Sequence, residues 1–175
     1  MATDRITVNR APVLTLWATV VAERLGYDHK TALTLGKAVA GLNAQAKGQR
    51  LGIFEKPKEK PLKVQRKGAK PKENLVPLLG RLVPTVKSPE GVRAAIKGER
   101  IDPQSAEKYL AQKFGGDLIR VRTAMEELAR AYKPDVLATE AFRMYEKFRP
   151  SVPAGQKGWG VKGVLDVNAI RSLAR

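Results

Sequence analysis

Between residues 10 and 25 the apolar side chains fall on two neighbouring stripes, Leu14, Trp17, Val21 and Leu25 on one and Val13, Leu16 and Val20 on the other. Apolar positions three and four apart predict a helix, and a helix apolar over so much of its surface belongs inside a core. Pro12 suits the first turn, where a missing N–H costs little, and Gly26 suits the left-handed residue that ends a helix. Asp28 is a good cap for a second helix to about Lys47, with Ala32, Leu35, Val39, Leu42 and Ala46 on one face. Gly36, Ala40 and Gly41 leave small surfaces where another backbone can approach closely. Further along, Asp102-Pro103 opens a helix lined by Ala106, Leu110 and Phe114 and ended by Gly115-Gly116. Asp117 reads as the cap of a regular amphipathic helix carrying Leu118, Val121, Met125, Leu128 and Tyr132. Asp135 reads as the cap of the next, with Leu137, Ala141, Met144, Tyr145 and Phe148, and Asp166 as the cap of a final short helix with Val167, Ile170 and Leu173.

Two stretches break this pattern. The segment NLVPLLGRLVPTV, residues 74–86, is apolar but interrupted by Pro77, Gly80 and Pro84, which predicts one or two short edge strands. Ser88-Pro89-Glu90 then reads as the start of a short helix through Ile96, stopped by Gly98. Residues 55–73, EKPKEKPLKVQRKGAKPKE, hold three prolines, each preceded by Lys, and so form no continuous helix. An extended arm is expected there.

Charge changes the picture most. The chain of 175 residues has 33 Lys and Arg against 17 Asp and Glu, a formal net charge of +16. Residues 51–73 are the densest part, with eight basic and three acidic side chains. Such an excess repels itself in a compact state, so a polyanionic partner is expected, nucleic acid before an anionic membrane surface or an acidic protein. Lys56, Lys58, Lys60, Lys63, Arg66, Lys67, Lys70 and Lys72 could follow a phosphate backbone, each contact releasing counterions. The plainer alternative is a solvated linker kept extended by its own repulsion.

The run Ala22-Glu23-Arg24-Leu25-Gly26-Tyr27-Asp28, followed by Ala32 and Leu35, resembles the helix-turn-helix pattern of DNA-binding proteins. That resemblance implies an exposed start to the second helix, where His29, Lys30, Thr31, Thr34 and Lys37 would meet phosphates and base edges. A related spacing, Ala111-Gln112-Lys113-Phe114-Gly115-Gly116-Asp117, recurs before a helix that offers Arg120 and Arg122. Any helix ended by Gly and followed by one started by Asp produces the same order of residues. Gly158-Trp159-Gly160 either stacks on an unpaired base or anchors the last helix.

Catalytic signatures are sparse. With a single His and no Cys, there is no pair of His ligands for a metal, no spare general base beside it and no thiol nucleophile. The glycines at 155, 158, 160 and 163 are followed by no Lys-Ser or Lys-Thr, so no phosphate loop of the Walker type is present. The absence of Cys fits a reducing compartment, and neither a spanning apolar stretch nor a signal-peptide pattern stands out. The expectation is thus a mainly α, bundle-like protein with a helix-turn-helix-like pair in residues 1–50, a basic arm and extended segment in 51–87, and a helical region in 88–175. At most one or two short strands are expected. Its expected role is cytoplasmic binding of nucleic acid, DNA over RNA, without catalysis, cofactor, metal or membrane partner. The sequence leaves room for a homodimer. A protein-interaction or scaffold module with an acidic or ribonucleoprotein partner is the alternative.

Overall fold

The computed structural model describes residues 5–50, 74–79, 81–89, 91–96, 99–151 and 162–174, and the side chains within 43–50 are not described. The fold is mostly helical. In chain order it comprises β1 (Arg5–Asn9), α1 (Arg10–Arg24), α2 (His29–Arg50), β2 (Asn74–Leu78), β3 (Arg81–Ser88), β4 (Gly91–Ile96) and β5 (Glu99–Arg100). There follow α3 (Pro103–Phe114), a 3-10 turn (Gly115–Asp117), α4 (Leu118–Arg130), α5 (Pro134–Phe148), β6 (Lys162–Asp166) and α6 (Val167–Leu173).

The doubly striped first helix is the centre of the molecule: every side chain of α1 from Pro12 to Ala22 is buried. The polar atoms it carries inward are satisfied there. Thr15 and Thr19 donate their hydroxyls to the carbonyls one turn back, Ala11 O and Thr15 O, at 2.9 and 2.8 Å. Trp17 Nε1 donates to Ala141 O of α5 at 2.9 Å, and its ring meets Phe148 edge-on at 5.4 Å. Tyr145, which burial pushes well above the usual phenol range, donates to Arg10 O at 3.3 Å. The helix crossing between α1 and α2 is set at Gly36, where a Cβ would stand 2.3 Å from Thr19 Oγ1 and 2.5 Å from Thr15 O. The expectation of a close approach at this small residue is met.

Asp102 and Asp166 cap α3 and α6 as expected, accepting from Gln104 N and Asn168 N, each at 3.0 Å. Asp117 stands at the N-cap position of α4 but its side chain makes no capping bond, and Asp135 is not at a cap position. Asp117 ends the 3-10 turn and pairs with Arg120, while Asp135 lies one residue inside α5, behind Pro134 at its start.

The strands are more numerous than expected. β2, β3, β4 and β5 form an antiparallel meander in sequence order, and β1 pairs with β6 in the register Ile6↔Leu165 and Val8↔Gly163. The expected helix over 88–96 is a hairpin instead. Ser88 pairs with Gly91 across a tight turn in which Gly91 takes φ +128, a conformation open to glycine, and Val92 to Ala94 run back along Lys87 to Thr85. Prolines at 77 and 84 are accommodated within β2 and β3, so the short strands expected over 74–86 are present but belong to a larger sheet. The expected arm and the Trp159 motif lie outside the described residues.

Candidate nucleic-acid interface

The start of α2 was expected to face solvent, and only part of it does. His29 and Lys30 are exposed, whereas Thr31 and Thr34 are 1% and 0% exposed. The sheet explains the correction. β5 pairs with β4 only at Ala95 and Ile96, leaving the backbone of residues 92–94 without a strand on that side. The two threonines fill the gap: Thr31 Oγ1 lies 2.8 Å from Val92 O, and Thr34 Oγ1 accepts from Ala94 N at 3.0 Å while donating to Thr31 O at 2.8 Å. Ile101 N completes the edge by donating to Ala94 O at 2.9 Å. These hydroxyls therefore close a sheet edge, where an unpaired buried backbone group would be costly.

Asp28 supports the same junction. It accepts from the Thr31 hydroxyl at 2.8 Å and from Thr31 N at 3.1 Å, and these bonds hold its carboxyl below the usual range, with the nearby Arg93 guanidinium adding a smaller effect. His29 Nδ1 stands 2.5 Å from Glu23 Oε2, and Arg122 of α4 binds the same carboxylate as well as Glu126. Arg122 thus ties α1 to α4. Arg120 pairs with Asp117 at 2.9 Å. Both arginines, expected as contact residues, are engaged within the molecule. Lys37 lies 4.3 Å from the centre of the Tyr109 ring of α3, with Lys113 at 5.9 Å from it, so the ring is bracketed by two cations. Burial raises the Tyr109 hydroxyl above its ordinary pKa.

An open cleft of about 780 Å³ lies beside the turn into α2, bounded by α2, the β4–β5 edge and the start of α3. Lys30, Arg93 and Arg100 supply three cations to its wall, with His29 beside them. Leu33, Ile101 and Pro103 give it an apolar side, and Asp102, Gln104 and Glu107 of α3 complete it. Arg93 is 6% exposed, and its Nη1 donates to Val92 O at 2.9 Å, so the main chain of β4 fixes its position.

No family model, curated protein or solved structure matches the chain. The candidate site thus rests on its geometry. Among the described residues no group of three His, Asp or Glu side chains stands together as a metal site, and no helix is long and apolar enough to cross a membrane. Sequence reasoning found His29, Lys30 and Lys37 and missed Arg93, Arg100 and Tyr109. Arg93 is hidden by reading 88–96 as a helix; the alternation of Val92, Arg93 and Ala94 after a Ser-Pro-Glu-Gly turn is the signal that finds it. Of the expected contact residues, Lys56 through Lys72 lie outside the described residues.

Proposed function

We propose that the chain is a nucleic-acid-binding protein that works without catalysis, in the cytoplasm, by holding a sugar–phosphate backbone, with duplex DNA preferred over RNA. The observation that carries this reading is how the two signs of charge are used. Many of the described acids are engaged inside the molecule, Glu23 and Glu126 with Arg122, Asp117 with Arg120, and Asp28, Asp102 and Asp166 at helix starts. The chain holds 33 basic against 17 acidic residues, and on the described part Lys30, Lys87, Arg100 and Lys108 are exposed. A surface of that kind attracts phosphates without reading bases. The α1–α2 pair takes a narrower part than a full helix-turn-helix, since Lys30 is exposed at the turn while His29 pairs with Glu23 and Thr31 and Thr34 serve the sheet.

The test is a salt titration of a labelled duplex, comparing the parent with a variant in which Lys56, Lys58, Lys60, Lys63, Arg66 and Lys67 become Gln. Each engaged cation adds ~0.9 to the magnitude of the slope of log K against log[salt], so loss of all six lowers it by about 5. A folded variant with the parent's slope removes the arm from the interface. Absence of binding even at low salt overturns the proposal and favours the second reading, a protein-interaction module. That reading draws on the outer face of the sheet, where Leu75 and Leu82 are 55% and 60% exposed.

A further inference from the structure

We infer that the cleft at the start of α2 is a receptor for a single nucleoside 5′-phosphate unit with guanine as its preferred base. The inference goes beyond the backbone-binding reading above and names one site and one ligand chemistry of its own. The volume, about 780 Å³, is that of a small-ligand pocket and far below what a duplex needs. Its walls are chemically divided in the way a nucleotide is. Lys30 and Arg100, both exposed, form a cationic part matched to a phosphate of charge about −2, and the fork of Arg100 suits phosphate oxygens in pairs. Arg93, 6% exposed and donating Nη1 to Val92 O, adds its positive charge from behind this wall. Leu33, Ile101 and Pro103 offer an apolar surface against which a base can lie.

The carboxylates on α3 choose the base. Asp102 is held at the start of α3, its Oδ1 accepting from Gln104 N, while Glu107 lines the cleft from an exposed position and is the freer acceptor. A carboxylate presents acceptors only, and guanine is the base whose pairing edge offers two adjacent N–H donors, so Glu107 favours it over adenine, cytosine and uracil. A cleft serving only as a phosphate hook would have no use for that acid, which repels the anion.

The experiment titrates the full chain with guanosine, adenosine, cytidine and uridine 5′-monophosphates and with ribose 5-phosphate, followed by calorimetry. Guanosine monophosphate should bind best and ribose 5-phosphate about tenfold more weakly or worse, since it lacks the base. Lys30→Gln and Arg100→Gln, both at exposed positions, should each weaken all the mononucleotides about tenfold. Glu107→Gln should remove the guanine preference and leave ribose 5-phosphate unchanged. Competition against a labelled single strand bearing a 5′-terminal guanosine phosphate separates the two sources: displacement by guanosine monophosphate assigns the site to a strand end, and its absence assigns it to a free nucleotide. If no mononucleotide binds at millimolar concentration while duplex binding persists, the inference falls and the broader proposal stands. If mononucleotides bind as described but no nucleic acid does at low salt, the broader proposal falls and the cleft remains. Equal affinity for all four bases, insensitive to Glu107→Gln, overturns the assignment of the base.

Discussion

Gly36→Ala probes the contact that sets the α1–α2 crossing. The added methyl would stand 2.3 Å from Thr19 Oγ1, 2.5 Å from Thr15 O and 3.1 Å from Thr19 N. Carbon–oxygen contacts need about 3.3 Å, so the helices must separate by about 1 Å at their crossing. The carbonyl is main chain, and the hydroxyl is held to it by its own hydrogen bond at 2.8 Å, so neither can swing aside cheaply. A gap of that size forfeits a quarter to a half of the dispersion energy of the atoms lining it, and overpacking of this kind costs about 1–3 kcal/mol. Alanine returns roughly 1 kcal/mol through its better helix propensity, less than the clash and the gap together remove. The net expectation is a loss of up to about 2 kcal/mol. Gly41, in the same helix but exposed, is the control, because Gly41→Ala has the propensity gain without the clash. Urea unfolding should give a lower midpoint for Gly36→Ala and a higher one for Gly41→Ala, with slopes unchanged. If the two variants shift the midpoint in the same direction, the crossing is not set by this contact.

Thr34→Val keeps the shape but leaves Ala94 N–H buried without its acceptor, so stability should fall by about 1–3 kcal/mol while the folded fraction binds DNA as the parent does; a stable variant with altered binding would return Thr34 to the interface. Trp17→Ala should cost about 3–5 kcal/mol, and Trp17→Phe less, measured by the same unfolding assay. Asp28 titrates below its ordinary value of 3.8 in the fold, so it adds stability above that pH, lost as the pH falls through and below it; Asp28→Asn should therefore flatten the acid limb of the stability profile, and an unaltered limb would refute its linkage to folding.

Most helices were legible because each carries its own local signals: the 3–4 spacing of α4 and α5, Pro103 behind a capping aspartate, glycine after α1 and α3. The errors cluster where the deciding partner is distant in sequence. Ser88-Pro89-Glu90 opens a helix or a tight turn equally well, and what selects the turn is Gly91 together with a β3 strand that pairs with the following residues. β1 has an inward Ile6 and Val8 but only five residues, and its partner β6 lies at the other end of the described chain. Thr31 and Thr34 looked like surface residues because short polar side chains at a helix start usually are. They are buried by β4, the strand that had been read as a helix, so one error in secondary structure carried a second error into the candidate site. The basic composition was legible at once, since it needs no partner to be counted.

The burial of α1 on all sides sets a timetable for biosynthesis. Trp17 awaits the carbonyl of Ala141, 124 residues later, which at a translation rate of about 5–20 residues per second takes roughly 6–25 s to be made. Through that interval the most apolar helix of the chain has emerged without the α5 surface that covers it, and β1 waits longer still for β6. α2 covers α1 early, but the α1–α5 contact and the β1–β6 pairing join segments far apart along the chain, and such contacts slow folding. If α1 is left uncovered in this interval, newly made chains should aggregate more readily than the finished protein, which a pulse-labelled sedimentation measurement would read.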